Sequence, residues 1–383
     1  MADRPYDGRP RLLHLHSSFN LGGKEARAVR LMNLWGDRAE HAIVSGVPGA
    51  MGARAAIAPD IAVDFPDAPP LTGRPGLSRF LALARFMRGY DLVLTYNWGA
   101  VDGVMAHRIF HRLLALPPLI HHEDGFNEDE AAGLKPARNR YRRIALAGAD
   151  ALVVPSRRLE GIALNAWRQP RGKVRLIPNG IDLARYAAPP QPDALPGFVR
   201  APGKLVVGTL AGLRAVKNIP RLVRAVAAHR ERLQLVVVGE GPERDAILRE
   251  AEAHGLSDLH MAGFLSDPWK FVGLFDIFAL SSDSEQFPIS LVEAMAAGLP
   301  VVSTDVGDVA DMVAPANRRF VIPLEEETGL AAALGELAAN AALRDALGKA
   351  NRVKALDAFG EPQMLGAYAS LYGKSLARPD VLL

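Results

Sequence analysis

Short apolar runs rich in Val, Leu and Ile alternate along the chain with longer stretches in which apolar positions recur every three or four residues. The runs at 12–15, 42–45, 92–95, 118–121, 151–154 and 174–177 read as strands. The stretches between them, notably 24–34, 77–88, 101–114, 136–147 and 156–166, read as helices. The strand runs are continuously apolar, as expected for parallel strands covered on both faces, and the strand–helix alternation predicts a doubly wound α/β sheet. The pattern stops at 187–197, where four prolines in eleven residues preclude regular structure, so a linker is expected over 187–203. It then restarts, with strands at 205–207, 235–238, 277–280, 301–303 and 320–322 and helices at 220–228, 243–254, 328–339 and 343–359. Two Rossmann-like domains, 1–186 and 204–360, facing each other across a cleft, is the predicted architecture.

Composition narrows the class. A chain of 383 residues is long enough for two ordinary cores. Although 49% of its residues are apolar, no apolar run approaches the ~18 residues that a membrane span needs. The start, Met1-Ala-Asp-Arg-Pro, lacks the pattern of a secretory signal, and the absence of cysteine excludes disulfides, thiolate metal sites and a Cys nucleophile. A cytoplasmic protein with no nucleic-acid partner is expected. The net charge of +3 is unevenly spread: residues 1–186 hold 26 Lys and Arg against 18 Asp and Glu, residues 187–383 hold 19 against 24. A basic first half points to something anionic, either a membrane surface or a phosphate-bearing acceptor.

The most informative stretch is 281–303. Its strand, loop, helix and strand pattern sets Glu285 in the loop and Glu293 in the helix, with Ser290 a candidate cap and Gly298-Leu-Pro300 the helix stop. Ligands of open α/β sheets bind at the carboxyl ends of strands, so the two carboxylates read as a pair of sugar-binding acceptors. Asn20-Leu-Gly-Gly-Lys24 also follows a strand and opens a helix; Gly22 and Gly23 let the backbone approach a ligand, and the helix N-terminus suits phosphate. Arg214 and Lys217, three residues apart after the strand at 205–207, offer a guanidinium fork and a point charge fit for a diphosphate. Gly239 and Gly241 lie in a strand-to-helix loop, where Pro242 makes a plain tight turn an equally good account.

The 281–303 stretch resembles the Glu-x7-Glu signature of the retaining, nucleotide-sugar-dependent glycosyltransferases of family 4, which have the GT-B fold; a looser resemblance extends over nearly the whole chain. It implies that Glu285 meets hydroxyls of the donor sugar, that Glu293 binds the nucleotide ribose, and that Arg214 and Lys217 hold the diphosphate. It further implies that Gly22 and Gly23 lie near the diphosphate or the acceptor, that Gly239 and Gly241 belong to the nucleotide loop, and that 261–265, including Phe264, line the base pocket. The last helical stretch, about 361–383, is expected to return to the first domain. Where many members have Gly-Phe-Gly after the first Glu, this chain has Gln286-Phe-Pro288; proline has no N–H, so amide contacts to the donor fall to Gln286, Phe287 or Ile289. Members usually carry a His before a Gly near residue 125, whereas here Asp124 precedes Gly125; His122 takes the role through a shifted register, or Asp124 does, in which case Asp124 could act as a general base.

The donor expected is a UDP- or GDP-type sugar, the acceptor a glycan or a lipid-linked intermediate, and no metal or other cofactor is required. The His and carboxylate run at 120–130 and Asp283-Ser-Glu285 are therefore not assigned to metal, and His14 and His16 are taken as structural. The basic helix at 135–144, with Arg138 and Arg142 one turn apart, offers contact with anionic lipid at the inner membrane face as an alternative to an ordinary solvated surface. Rival readings are an epimerase or phosphorylase of the same fold, or a non-catalytic sugar-nucleotide-binding module.

Overall fold

The computed structural model describes residues 8–126, 130 and 133–383. The chain forms two compact units: the first runs to Pro178 and is completed by Pro362–Leu383, the second is Asn179–Glu361. In the first, strands β1 (Arg11–His16), β2 (Glu40–Ser45), β3 (Val63–Asp64), β4 (Leu92–Tyr96), β5 (Leu119–His122), β6 (Ala151–Val154) and β7 (Val174–Leu176) alternate with helices α1 (Gly23–Trp35), α2 (Leu77–Met87), α3 (Val101–Leu114), α4 (Pro136–Leu146) and α5 (Arg157–Asn165). In the second, β8 (Leu205–Leu210), β9 (Leu233–Val238), β10 (Leu259–Gly263), β11 (Ile277–Leu280), β12 (Val301–Thr304) and β13 (Val321–Ile322) alternate with α6 (Ile219–Ala227), α7 (Arg244–Ala253), α8 (Ile289–Ala296), α9 (Val309–Met312), α10 (Gly329–Ala339) and α11 (Ala341–Ala358). A last helix, α12 (Glu361–Ser375), returns to the first unit.

Every pairing among the described strands is parallel. The strand orders are β3-β2-β1-β4-β5-β6-β7 and β10-β9-β8-β11-β12-β13. Each order reverses once, between β1 and β4 and between β8 and β11, and in open α/β sheets ligands bind beyond the carboxyl ends of the strands at such a reversal. The central strands are buried at every position, as in β4, β5, β9 and β11, because helices cover both faces.

In the first unit one face packs on α2 to α5 through Leu13, Phe80, Val104, Leu146 and Leu159. The other packs on α1 and α12 through Leu12, Met32, Trp35, Tyr368 and Tyr372. In the second unit Val207, Leu235, Leu222 and Leu334 form one core, and Val206, Phe278, Leu291 and Met295 the other. Local chemistry sets several helix starts: Ser156 Oγ accepts from Leu159 N at 3.1 Å, Asn218 Oδ1 from Arg221 N at 3.3 Å and Asn340 Oδ1 from Leu343 N at 2.9 Å.

Three features differ from the sequence expectations. The proline-rich run is not a linker: the chain passes between units at Pro178–Asn179, and Leu195 within the run, like Tyr186 just before it, is buried in the core of the second unit. Prolines preclude regular structure but not packing. The edge strands β3 and β10 carry too few apolar residues to announce themselves. Finally, Ser290 does not cap α8; the helix starts after Pro288 with no side-chain cap, and Ser290 lies inside its first turn.

Candidate functional site

In the second unit the sequence-predicted residues meet beyond β8 and β11. Lys217 Nζ donates to Glu285 Oε1 at 2.5 Å, and Ser282 Oγ donates to the same oxygen at 2.8 Å. The loop carrying Glu285 is fastened on both sides. Asp283 N donates to Val216 O (2.8 Å), Ser281 Oγ to Lys217 O (3.0 Å), and Thr304 Oγ1 to Ser282 O (2.6 Å). Arg221 Nη1 bonds Ser281 O at 3.1 Å and Asp283 Oδ1 at 2.8 Å. Gly307, at φ +60°, lets the loop after β12 press against this one; a Cβ there would lie 2.7 Å from the carbonyl oxygens of Glu285 and Gln286.

This fastening leaves donors unused. The amide N–H groups of Gln286, Phe287 and Ile289 have no acceptor among the described residues, as expected at a helix start without a cap. The side chain of Phe287 is otherwise engaged, edge-on against Phe359 at 5.6 Å, and Gln286 Oε1 is buried without a partner. Arg214 is exposed and makes no ion pair among the described residues. Phe264, just past β10, is 64% exposed, leaving its ring free for stacking.

Glu293, on α8, is half-buried and has no cation beside it among the described residues. Burial pushes its carboxyl up to about 7, while the hydroxyl of Tyr186 bonds the carboxylate and opposes that rise. Tyr186 stands just before the proline-rich run, and its own pKa is raised, first by burial and then by Glu293.

Gly239 and Gly241 have a packing reason. Both have positive φ, +140° and +155°, and a Cβ would lie 1.8 Å from Ala211 O at the first and 2.3 Å from Leu213 O at the second. They let the loop after β9 lie against the loop after β8, where Leu213 N donates to Glu240 O at 2.8 Å.

In the first unit, Gly22 precedes α1 in extended conformation and Gly23 starts it. Lys24 Nζ bonds Glu25 and Ser18 O; burial lowers Lys24 to about 8 against the support of Asp124. Asp124 is clamped by Arg27, whose Nη1 bonds Oδ1 and whose Nη2 bonds Oδ2 at 2.9 Å. Burial alone would raise the Asp124 carboxyl, but the guanidinium outweighs it and holds the group below the usual carboxylate range, which makes it a weak base.

His122 is not the residue that faces a ligand. It is 1% exposed, its Nδ1 donates to Thr95 O at 3.2 Å, and its Nε2 accepts from the Tyr372 hydroxyl at 2.7 Å. Burial first, then Arg27, lowers it to about 3, so it is a neutral post between β5 and α12. His14 is likewise buried, bonded to Tyr96 OH and His41, whereas both ring nitrogens of buried His16 lack partners among the described residues. Asn127, Glu128 and Asp129 of the 120–130 run lie outside the described residues. Among those described, no group of three or more His, Asp or Glu is placed to hold a metal ion.

The lipid contact expected of Arg138 and Arg142 is also corrected. Arg142 is wholly buried, bonded to Glu130 at 3.0 and 2.8 Å and enclosed by Trp98, Phe126 and Trp167. Arg138 bonds the same carboxylate at 3.1 Å. Sequence reasoning missed Ser282, Tyr186 and Arg27. Of these only Arg27 left a signal, as a charge on the apolar face of α1.

Comparison with known proteins bears on the family and the fold. Residues 21–185 match the model of Glycosyltransferase Family 4, and residues 196–354 that of Glycosyl transferases group 1. The chain is 31% identical over 242 residues to the putative glycosyltransferase EpsF of Bacillus subtilis, covering 57% of this chain and 61% of that protein. It is 32% identical over 152 residues to the O-antigen chain mannosyltransferase C of Escherichia coli, covering 38% and 41%. It therefore spans less than two thirds of the length of each. Among solved structures, Anabaena HepE in complex with UDP and glucose superposes with a TM-score of 0.77 at 19% identity, over 96% of this chain and 100% of that one. Sucrose-phosphate synthase of Thermosynechococcus elongatus gives 0.76 at 22%, over 96% and 99%. At these identities the likeness is one of fold.

Proposed function

Since the chain belongs to the family-4-like glycosyltransferases of GT-B fold, we propose that it transfers a sugar from a nucleoside-diphosphate sugar to an acceptor hydroxyl with retention. The observation that carries this reading is the Lys217–Glu285 pair, fastened beyond β8 and β11 with unpaired Arg214 on the same loop as Lys217. In this reading Arg214, Lys217 and the free amides of Gln286, Phe287 and Ile289 hold the diphosphate. Glu285 accepts from donor-sugar hydroxyls, Glu293 from the ribose, and Phe264 stacks on the base.

The bond from the anomeric carbon to the diphosphate oxygen breaks with its electron pair, and the cations stabilise the charge that grows there. The acceptor oxygen bonds to the anomeric carbon, and its proton passes to the departing diphosphate. Retention is supported by Asp124, whose low proton affinity makes it a poor base for direct attack. No metal or other cofactor enters this account, because charge neutralisation falls to Arg214 and Lys217.

The acceptor we propose is a glycan or lipid-linked intermediate. The basic first half of the chain, with exposed Arg108 and Arg112 on α3 and Arg140 and Arg143 on α4, supports contact with an anionic acceptor or membrane surface. No described helix is long and apolar enough to cross a membrane.

A thermal-shift screen against UDP-glucose, UDP-N-acetylglucosamine and GDP-mannose identifies the donor, since a binder of the native state raises apparent stability. With that donor, Lys217→Ala and Glu285→Gln should each abolish transfer while the far-UV spectrum and melting temperature stay near wild type. Near-normal turnover in both variants would remove the site assignment.

A further inference from the structure

Asn97 closes β4 with φ +57° and ψ −177°. Backbone in this region is held almost only by glycine and costs another residue about 1–3 kcal/mol. Ala115, Asn218 and Asp267 also have positive φ, but with ψ of +57°, +48° and +59° they sit in the ordinary left-handed helical region. Glycine would make the Asn97 turn without strain, so what asparagine adds is its side chain.

That side chain is oriented by the chain around it. The Asn97 N–H donates to His122 O at 2.8 Å, and its carbonyl accepts from Ala100 N at 3.0 Å. Its Oδ1 accepts from Asp124 N at 2.8 Å. With Oδ1 engaged, the amide cannot flip, and Nδ2 of this half-buried residue has no acceptor among the described residues. The position is the carboxyl end of β4, one of the two strands between which the sheet order reverses. The residue that Asn97 pins is Asp124, whose oxygens keep lone pairs beyond those taken by Arg27. A fixed N–H donor on the residue that pins a fixed carboxylate acceptor matches hydroxyl groups of a sugar ring, which can take one hydrogen bond and give another.

We infer that Asn97 is a specificity-determining residue whose Nδ2 donates to a hydroxyl of the sugar bound at the end of β4. The inference rests on the glycosyl-transfer reading and adds to it a subsite, Asn97 with Asp124, that recognises ring hydroxyls of the donor or the acceptor.

Two variants test it. Asn97→Asp keeps an acceptor for Asp124 N but removes the donor; Asn97→Gly keeps the turn but removes the side chain. Each is titrated with UDP-glucose, UDP-N-acetylglucosamine and GDP-mannose, and separately with UDP and GDP. Nucleoside-diphosphate release is then followed with and without methyl glucoside and methyl mannoside as acceptors. If the hydroxyl belongs to the donor, nucleotide-sugar affinity falls at least tenfold while UDP and GDP bind as in wild type. If it belongs to the acceptor, donor affinity is kept and kcat/KM for the glycoside falls at least tenfold. Wild-type behaviour of both variants in every arm overturns the inference, as does an equal loss of UDP and GDP binding accompanied by a lowered melting temperature, which marks a residue that only holds the fold. A wild-type protein that binds none of the nucleotide sugars instead overturns the reading of the activity, and the inference with it.

Discussion

Three candidate carboxylates, Asp124 in the first unit and Glu285 and Glu293 in the second, differ in character because their neighbours differ. Glu285 is held by Lys217 and Ser282, and Asp124 by Arg27. Among the described residues Glu293 has only the Tyr186 hydroxyl, and burial leaves its carboxyl at about 7. A hydrogen-bond acceptor for ribose works best ionised, so UDP or GDP binding should strengthen as pH rises through 7 and release a proton at pH 6.5. Calorimetry in buffers of different ionisation enthalpy reads both, and Glu293→Gln should abolish the dependence. The sign for stability is the reverse. A carboxyl whose folded pKa lies above its unfolded value favours folding only while it is protonated, so ionising it destabilises the native state increasingly between about pH 4.5 and 7. The melting temperature of Glu293→Gln should therefore gain on wild type from pH 5 to pH 8. The position of Glu293 could be read from the chain, but its isolation from cations could not, because the residues around it come from distant segments.

At the scale of elements, the loops after β8, β9, β11 and β12 brace one another, and glycines permit the approach. Gly239 is the tightest case, with no room for a Cβ against Ala211 O and a φ of +140°. Gly239→Ala should destabilise the protein by about 2–3 kcal/mol, read as a shifted urea midpoint, and should weaken nucleotide binding by displacing the Arg214–Lys217 loop. A merely tight local turn would accept alanine at smaller cost. The apolar pattern gave most strands and helices to within a few residues, since burial on both sides of a parallel sheet leaves continuous apolar runs. It missed β3, which has two residues, and β10, which is only half-buried at a sheet edge. It also read Arg138 and Arg142 of α4 as facing outward, to solvent or to anionic lipid. Both arginines turn inward to Glu130, and no one-dimensional pattern distinguishes an arginine paired with a carboxylate from one facing solvent.

Over the whole molecule, charge is the property that counts. Arg108, Arg112, Arg140 and Arg143 are exposed and make no ion pair among the described residues. Each cation near an anionic lipid surface contributes about 1 kcal/mol, so the protein should pellet with phosphatidylglycerol vesicles at low salt, should not pellet with phosphatidylcholine, and should be released by 0.5 M NaCl, roughly where screening shortens to a few ångströms. Replacing the four arginines by glutamate should abolish pelleting; salt-independent pelleting would remove the electrostatic account. The sequence by itself determined the class of fold and the two sheets, because hydrophobic periodicity and strand–helix alternation are local properties of the chain. It also placed Glu285, Lys217 and Arg214 on neighbouring loops, through the spacing of motifs that follow strands. Only the tertiary structure decided that His122 is sealed against Tyr372, 250 residues away in sequence, that Arg27 lowers the basicity of Asp124, that Tyr186, expected at the end of the first domain, packs in the second unit and meets Glu293, and that Asn97 is strained. Exposure, pairing and backbone strain depend on which distant segments the fold brings together, and periodicity along the chain carries no record of them.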